Sequence, residues 1–323
     1  MSGERGPLVL GAGGRVGTMF RRLAAQGLWP GPEPVWHTRD GREGTLGWDM
    51  GEGPPPGEAA LNGVRGVVVL AGMTPSDPRL AGLHPDDLDQ HLREGNQNPA
   101  LQAVHIAHER GLGPVLLCSS AAVYGPRSGP HREDDGCDPW GPPQPANGYA
   151  GAKVLMEFFA EVEAARLPDP RLAVCSLRIG NVAGADALFG AMAAGPVTLD
   201  RLPDGTAPCR AYIGPLTLAR AMRALLAAPE RLPTSVHARA PDGSDMVTPA
   251  ALNLAQPGLV AMSDLLDAAS VPFAWRPAPP TALPALEMDL SRLLALAPLP
   301  PATPEGLVAE ARLAGWRAFG ERP

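Results

Sequence analysis

The beginning of the chain contains the pattern that most restricts the fold: an apolar run, a cluster of glycines and an amphipathic segment. The run ends at Leu10 and is followed by Gly11-Ala12-Gly13-Gly14-Arg15-Val16-Gly17. Residues 18–25 then have the apolar spacing of a helix. This order predicts a strand, a tight turn and a helix, as at the start of a parallel βαβ sheet.

The same alternation continues through the first half of the chain. Strands are predicted at residues 7–10, 34–38, 64–70, 114–118 and 171–179, and helices at 97–110 and 149–166. The run at 64–70 is apolar throughout, as in strands that helices cover on both faces. We therefore predict an α/β fold with a doubly wound parallel sheet.

The alternation loosens after Gly180, where connections rich in proline and glycine begin. We predict a smaller C-terminal substrate domain there. The sheet domain would comprise residues 1–178 and about 212–250, and the smaller domain about 179–211 and 251–323. Helices are predicted at 216–228, 263–269 and 304–319, with Ser263 and Thr303 as N-caps.

Composition excludes several classes of protein. The net charge is −7, and no basic run matches a nucleic-acid backbone. No apolar stretch is long enough to span a membrane, and the N-terminus lacks signal-peptide regions. The four cysteines lack metal-ligand or disulfide-framework spacing, which favours a reducing cytoplasm. His105 and His108 share a helical face without a third ligand, so no metal site is predicted.

Lysine and tyrosine are rare, and their positions are informative. The chain has 26 arginines, a single lysine, Lys153, and three tyrosines. Lys153 follows Tyr149 by four residues, so both lie on one helical face. Ser120 follows a buried strand, at the sheet edge where such folds bind ligands. An ammonium favours the phenolate, so this hydroxyl, phenol and ammonium could transfer a proton.

The glycine segment suits a dinucleotide, because small residues let the backbone approach a pyrophosphate at a helix N-terminus. The residues that would do so are Gly11, Gly14, Arg15, Val16 and Gly17. The alternative is a tight turn without a ligand.

The end of the second strand, His37-Thr38-Arg39-Asp40, offers both an arginine for a 2′-phosphate and an acid for a 2′-hydroxyl. We favour NADP over NAD on Arg39. The alternative is that Arg39 is only a solvated loop charge.

Taken together, these motifs resemble the extended short-chain dehydrogenase/reductases, the NAD-dependent epimerase/dehydratase family. Further matches are Leu70-Ala71-Gly72, Asn96, Leu177–Gly184, Arg210–Ile213 and the C-terminal Asp289–Arg292. The resemblance implies that Tyr149 is the acid/base, that Lys153 binds the nicotinamide ribose, and that Ser120 bonds the reacting oxygen. It also implies cofactor contacts from Leu70, Ala71 and Gly72, and from Asp49, whose position in the family contacts the adenine. Substrate contacts are implied for Asn181 and Arg210. The strand end resembles that of a member that uses NADPH.

Two departures from the family pattern bear on the reaction. The usual Val-Asp-Asp is replaced by Gly214-Pro215-Leu216, so carboxylates that are usually buried there are missing. Ser120-Ala121-Ala122 stands where sugar-nucleotide dehydratases have Thr-Asp-Glu, which disfavours elimination of water.

We therefore expect an NAD(P)-dependent oxidoreductase or epimerase acting at a secondary alcohol or ketone of a sugar or sugar nucleotide. The alternative is a non-catalytic protein of the same fold that senses the dinucleotide. The resemblance also implies a homodimer whose interface includes the helix from Tyr149, and the cysteine usage favours a cytoplasmic location.

Overall fold

The computed structural model describes residues 5–42, 44–51, 57–127, 129–135, 148–167, 169, 172–239 and 245–321. Its strands are β1 (Leu8–Leu10), β2 (Val35–Thr38), β3 (Leu46–Gly47), β4 (Val67–Val69), β5 (Val115–Ser120), β6 (Val174–Ile179), β7 (Asn181–Val182), β8 (Val197–Arg201), β9 (Cys209–Ile213), β10 (Val236–Arg239), β11 (Asp245–Thr248), β12 (Ala251–Leu254), β13 (Leu259–Ala261), β14 (Phe273–Pro277) and β15 (Ala285–Leu286). Its α-helices are α1 (Arg15–Ala25), α2 (Pro85–Arg110), α3 (Gly148–Arg166), α4 (Ala187–Ala194), α5 (Pro215–Ala227), α6 (Met262–Ala268), α7 (Ser291–Leu296) and α8 (Pro304–Leu313).

Seven parallel strands form the central sheet in the order β12-β6-β5-β4-β1-β2-β3. The chain runs outward from β1 to β3 and then returns to β4 on the other side of β1. Ligands of such sheets bind in the crevice that this reversal leaves at the carboxyl ends of the strands. The predicted doubly wound parallel sheet is confirmed.

Helices cover both faces of the sheet, and successive strand residues pack on opposite sides. Val9 and Val68 belong to a core cluster that includes side chains of α1 and α5. Leu10 and Val69 belong to a second cluster with side chains of α2 and α3. Both faces are therefore dry, which explains why the strands are apolar runs without alternation.

The second half of the chain adds smaller sheets and a third core cluster. β9 lies between β13 and β15 and also pairs with β7, and β8 pairs with β14. Side chains of α4, α6 and α8 pack around Phe189 and Tyr212. The predicted division at about residue 250 needs correction in one respect: β12 pairs with β6 and so completes the central sheet.

Several predicted helix limits differ from the structure. α2 begins at Pro85, twelve residues before the predicted start. Pro99, a residue type more usual at the beginning of a helix, lies inside it. The cap at Thr303 is confirmed, since its hydroxyl accepts from the Gly306 N–H. The cap at Ser263 is wrong: α6 begins one residue earlier, without a side-chain cap.

Helix α5 begins in the segment Gly214-Pro215-Leu216, which has no acidic residue to accept from its first N–H groups. Instead, Glu310 of α8 accepts hydrogen bonds from Thr217, and Gln256 accepts from the Gly214 N–H. Partners from distant segments therefore satisfy N–H groups that the local sequence leaves open.

Candidate active site

The glycine turn brings β1, α1 and the loop after β4 into close contact. Gly11 has a φ of +87°, and a Cβ there would lie 2.5 Å from the Ala71 nitrogen. A Cβ on Gly17 would lie 2.5 Å from Ala12 Cα. The N–H groups of Leu70 and Ala71 both donate to the Leu10 carbonyl. A side chain at Gly11 or Gly17 would therefore push these segments apart.

Helix α1 points its N-terminus at this turn. Its N-cap, Gly14, contributes no side-chain hydrogen bond, so first-turn N–H groups can bind an anion. Arg15, the first helical residue, donates to Ser76 Oγ at 2.9 Å and to the Ala185 carbonyl at 3.3 Å. Val16 packs against the α1–α5 core cluster. The uncapped N-terminus of α1, the glycine turn without side chains and the guanidinium of Arg15 together fit the pyrophosphate of a dinucleotide.

His37 anchors the turn, a role that the sequence analysis missed. Its Nδ1 accepts from the Gly11 N–H at 3.4 Å, and its Nε2 lies 2.7 Å from the Trp48 carbonyl. Both contacts together require the neutral ring with the proton on Nε2. Burial lowers the pKa of His37, which favours this neutral form. The position of His37, one strand away from Leu10 in register, could have suggested the contact.

At the end of β2, Thr38 faces the glycine turn, and a Cβ on Gly13 would lie 3.4 Å from its methyl group. Arg39 is exposed and lies 3.6 Å from Asp49, so the two residues predicted to contact the adenosine half are neighbours. Arg42, which the sequence analysis did not single out, lies near Gly13 and donates to Asp40 at 2.9 Å. The strand end therefore presents two arginines, while the buried Thr38 hydroxyl accepts from the Arg42 N–H and bonds to the Thr45 hydroxyl.

Ser120, Tyr149 and Lys153 lie close together at the carboxyl ends of the strands. Ser120 is the last residue of β5, and its hydroxyl hydrogen-bonds the Tyr149 phenol. The Lys153 ammonium lies 5.9 Å from the centre of the Tyr149 ring and donates to the Cys118 carbonyl at 2.7 Å. It would be 3.3 Å from a Cβ on Gly72. Gly72 thus leaves room beside the ammonium.

The proton affinities in this cluster differ from the expectation that Lys153 brings the phenol toward working pH. Burial raises the pKa of Tyr149, and the Ser120 hydrogen bond only partly offsets this. Burial lowers the pKa of Lys153 to about 8. Both shifts have one cause: charged forms lose hydration in a dry site. In the chain alone, Tyr149 is therefore a phenol at neutral pH.

The loop after β4 is held by Asn96 from α2. Its side chain is fully buried, accepts from the Met73 N–H and donates to the carbonyls of Met73 and Leu92. A Cβ on Gly72 would clash with its oxygen at 2.6 Å. Asn96 thereby fixes the loop that contains Leu70, Ala71 and Gly72.

Behind the cluster lies a buried polar network centred on Glu157. Arg178 donates to its carboxylate through Nη2 at 2.9 Å and through Nε. Ser119 donates to the same carboxylate. Arg178 also contacts the Tyr124 hydroxyl. Arg178 is 3% exposed, so it is part of the framework rather than a ligand for a bound anion.

The two predicted substrate ligands have protein partners. Asn181 donates to the Asp186 carboxylate at 2.7 Å, and the Tyr212 hydroxyl donates to the same oxygen. Arg210 donates to the carbonyls of Cys209 and Leu283. Burial raises the pKa of Asp186 despite these hydrogen bonds and the nearby Arg15. Asp186 was not singled out from the sequence, and in the structure it is also the N-cap of α4.

Two further features concern the described residues alone. Within them, no group of three or more potential ligands could hold a metal ion. His105 lies 3.3 Å from Glu163 across α2 and α3. None of the described helices is long and apolar enough to cross a membrane.

Comparison with known proteins supports the assignment of the fold. Residues 67–197 match the model of the NAD dependent epimerase/dehydratase family. No curated protein sequence matches the chain.

Solved structures match over nearly the whole chain. A UDP-glucose-4-epimerase from Stenotrophomonas maltophila, with NAD and formylated UDP-arabinopyranose, has 18% identity and a TM-score of 0.67 and covers 97% of this chain and 98% of its own. MoeE5 with UDP-glucuronic acid and NAD has 21% identity and a TM-score of 0.66, covering 96% and 98%. DesIV, a dTDP-glucose 4,6-dehydratase from Streptomyces venezuelae with NAD and TYD, has 18% identity and a TM-score of 0.63, covering 95% and 96%.

Proposed function

We propose that this member of the NAD-dependent epimerase/dehydratase family, within the extended short-chain dehydrogenase/reductases, is an oxidoreductase or epimerase acting at a secondary alcohol or ketone. The observation that supports this most strongly is the grouping of Ser120, Tyr149 and Lys153, in which the Lys153 ammonium lies 5.9 Å from the centre of the Tyr149 ring. This cluster stands at the carboxyl edge of the sheet, next to a turn that fits a dinucleotide.

The side chains divide the chemistry as follows. The Tyr149 phenol donates its proton to the carbonyl oxygen of the substrate, and in the reverse direction the Tyr149 phenolate takes the hydroxyl proton of the substrate. Ser120 donates a hydrogen bond to the reacting oxygen. Lys153 holds the ribose and places a positive charge beside the phenol. A bound nicotinamide dinucleotide supplies hydride transfer at the substrate carbon.

For the cofactor, we propose NADP in preference to NAD. Thr38, which faces the glycine turn, has no carboxylate for a ribose 2′-hydroxyl, and Asp40 is occupied by Arg42. Arg39 and Arg42 are both exposed at this strand end, where they lie against Asp49 and Asp40. A phosphate monoester, which suits guanidinium groups, would replace these carboxylates as their partner. The solved relatives described above contain NAD, so the preference depends on these two arginines.

For the substrate, we propose a sugar or sugar nucleotide, as bound by two of the relatives above. Asn181 and Arg210 would contact it after exchanging their present partners. Dehydratase activity is disfavoured because Ala121 and Ala122 follow Ser120 where elimination needs an acid pair. We also propose a homodimer whose interface includes α3. Light scattering would test the oligomeric state.

The test is turnover with the purified chain, NADP⁺ or NADPH and a panel of UDP-, GDP- and dTDP-sugars, followed by nicotinamide absorbance and by chromatography of the sugars. Tyr149→Phe should abolish turnover while the affinity for NADPH barely changes. If parent and Tyr149→Phe behave alike in every assay although both bind the dinucleotide, the chain is a sensor and the proposal is wrong.

A further inference from the structure

Lys153 is an ammonium without a direct anionic partner. It is 5% exposed, and its Nζ contacts the Cys118 carbonyl at 2.7 Å and the Met156 sulfur at 3.7 Å. Both acceptors are uncharged. A buried cation is costly unless an opposite charge compensates for its lost hydration.

The groups around Lys153 come from three directions. β5 contributes Cys118, the loop after β4 and α2 contribute the Asn96 amide beside Gly72, and α3 contributes Tyr149 and Glu157. The pKa of Cys118 is about 12, and that of Tyr149 is raised by burial. Both are therefore neutral at neutral pH. Of these groups, only the Glu157 carboxylate then provides a negative charge.

Glu157 lies one helical turn after Lys153 and is held from two strands. Ser119 of β5 donates to its carboxylate, and Arg178 of β6 contacts both of its oxygens. The side chains of Arg178 and Glu157 are 4% and 1% exposed. Arg178 is itself fixed by the Tyr124 hydroxyl and the Glu133 carbonyl. Glu157 thus has one position, and water does not screen its charge.

We propose that Glu157 is a positioning residue whose buried charge keeps the Lys153 ammonium protonated and in place, with Ser119 and Arg178 fixing that charge. Two successive serines of β5 then have different partners in the cluster: Ser120 contacts Tyr149, and Ser119 contacts Glu157. The consequence for catalysis rests on the proposed function, whereas the coupling of Lys153 to Glu157 does not.

Because Lys153 is the only lysine, its protonation can be measured directly. Protein grown on lysine labelled with ¹³C at the ε carbon gives one side-chain signal, whose chemical shift against pH yields the Lys153 pKa. In Glu157→Gln this pKa should fall by about one unit or more. In Arg178→Gln it should rise, because the carboxylate loses its neutralising partner.

A loosened core gives a different pattern. Entry of water would move the Lys153 pKa up from about 8 toward the ordinary 10.5 in every variant. A fall in Glu157→Gln therefore separates the proposed coupling from simple damage to the fold. An unchanged or raised Lys153 pKa in folded Glu157→Gln would overturn the proposal.

Breaking a buried ion pair can prevent folding. If Glu157→Gln does not fold, the double variant Glu157→Gln/Arg178→Gln, which removes both charges, decides the question. The Lys153 pKa should then fall less than in the single variant, because the more closely linked charge is the carboxylate; no fall contradicts the proposal. If turnover is found, the pH profile of kcat/KM should shift in the same direction. An absence of turnover would count against the proposed function and leave the titration valid.

Discussion

Glu310 of α8 caps α5 through Thr217, 93 residues earlier in the chain. Its Oε2 accepts from the Thr217 N–H at 2.9 Å, and its Oε1 accepts from the Thr217 hydroxyl at 2.6 Å. The carboxylate also lies at the positive end of the α5 dipole. One side chain thereby joins the C-terminal helix to a helix that packs on the central sheet.

We expect Glu310→Ala to lower the free energy of unfolding by about 1 to 2 kcal/mol, the usual effect of losing a helix cap. Urea denaturation measures this. The control is Glu305→Ala, an exposed acid at the start of the same helix, which should change stability by less than about 0.5 kcal/mol. Equal effects of the two substitutions would contradict a specific capping role for Glu310.

His37 predicts a pH dependence. Burial holds its pKa below the ordinary value of 6.5, so the unfolded chain binds this proton more readily than the folded chain. The stability contributed by neutral His37 is complete above about pH 6.5 and is lost as the pH falls through the lowered pKa. In His37→Gln, the difference in unfolding free energy between pH 7.5 and pH 5.5 should be smaller than in the parent.

His37→Gln also tests whether the hydrogen bond from the Gly11 N–H to His37 keeps the glycine turn in place for the cofactor. Gln can still donate to the Trp48 carbonyl but does not replace the acceptor for the Gly11 N–H. We expect NADPH to bind several-fold more weakly, as the loss of about 1 kcal/mol predicts. Burial also lowers the pKa of His131, so His131→Gln serves as the control: it should change the pH dependence and leave NADPH affinity unchanged.

Cofactor preference is tested at the end of β2. Arg39→Gln and Arg42→Gln should each weaken NADPH binding by about tenfold and leave NADH binding nearly unchanged, because each removes a cation from the 2′-phosphate. Arg220→Gln, which removes the same charge from the exposed face of α5, is the control. Fluorescence titration measures the dissociation constants. A parent chain that binds NADH more tightly than NADPH would contradict the proposed preference.

Glu161 predicts a pH dependence of the opposite sign. Burial raises its pKa to about 7 although it accepts hydrogen bonds from the Ala250 N–H and from Ser235. The neutral acid is the form that the fold favours, so its contribution is complete below about pH 4.5 and is lost as the pH rises through 7. Glu161→Gln keeps an acceptor without the charge.

We therefore expect Glu161→Gln to be more stable than the parent at pH 8, by about 1 to 3 kcal/mol, and to differ less at pH 5. Urea denaturation at the two pH values measures this. A variant that loses the same stability at both values would show that Glu161 acts through packing alone.

Much of the architecture could be predicted because it depends on local pattern. Continuous apolar runs predict strands with two covered faces, and the glycine turn predicts where β1 meets α1 through backbone conformations that Gly11 can adopt. The spacing of Tyr149 and Lys153 predicts one helical face. The predicted helix at 97–110 lacks the first twelve residues of α2 because Pro99 lies within α2, where surrounding contacts outweigh a local preference.

The remaining parts of the site depend on residues far apart in the chain. Nothing near His37 in sequence shows that its ring accepts from the Gly11 N–H, and nothing near Asp186 shows that its carboxylate accepts from the Tyr212 hydroxyl, 26 residues later. The raised pKa of Tyr149 likewise comes from burial, which spacing cannot measure.

The sequence by itself determined the order of strands and helices, the glycine turn and the pairing of Tyr149 with Lys153, because turn conformation and helical periodicity act over a few residues. Only the tertiary structure decided which buried charges face one another: Glu157 with Arg178, and Glu310 with the start of α5. Those pairings join segments separated by many residues, and their strength comes from the exclusion of water, which exists only once the sheet and helices have packed.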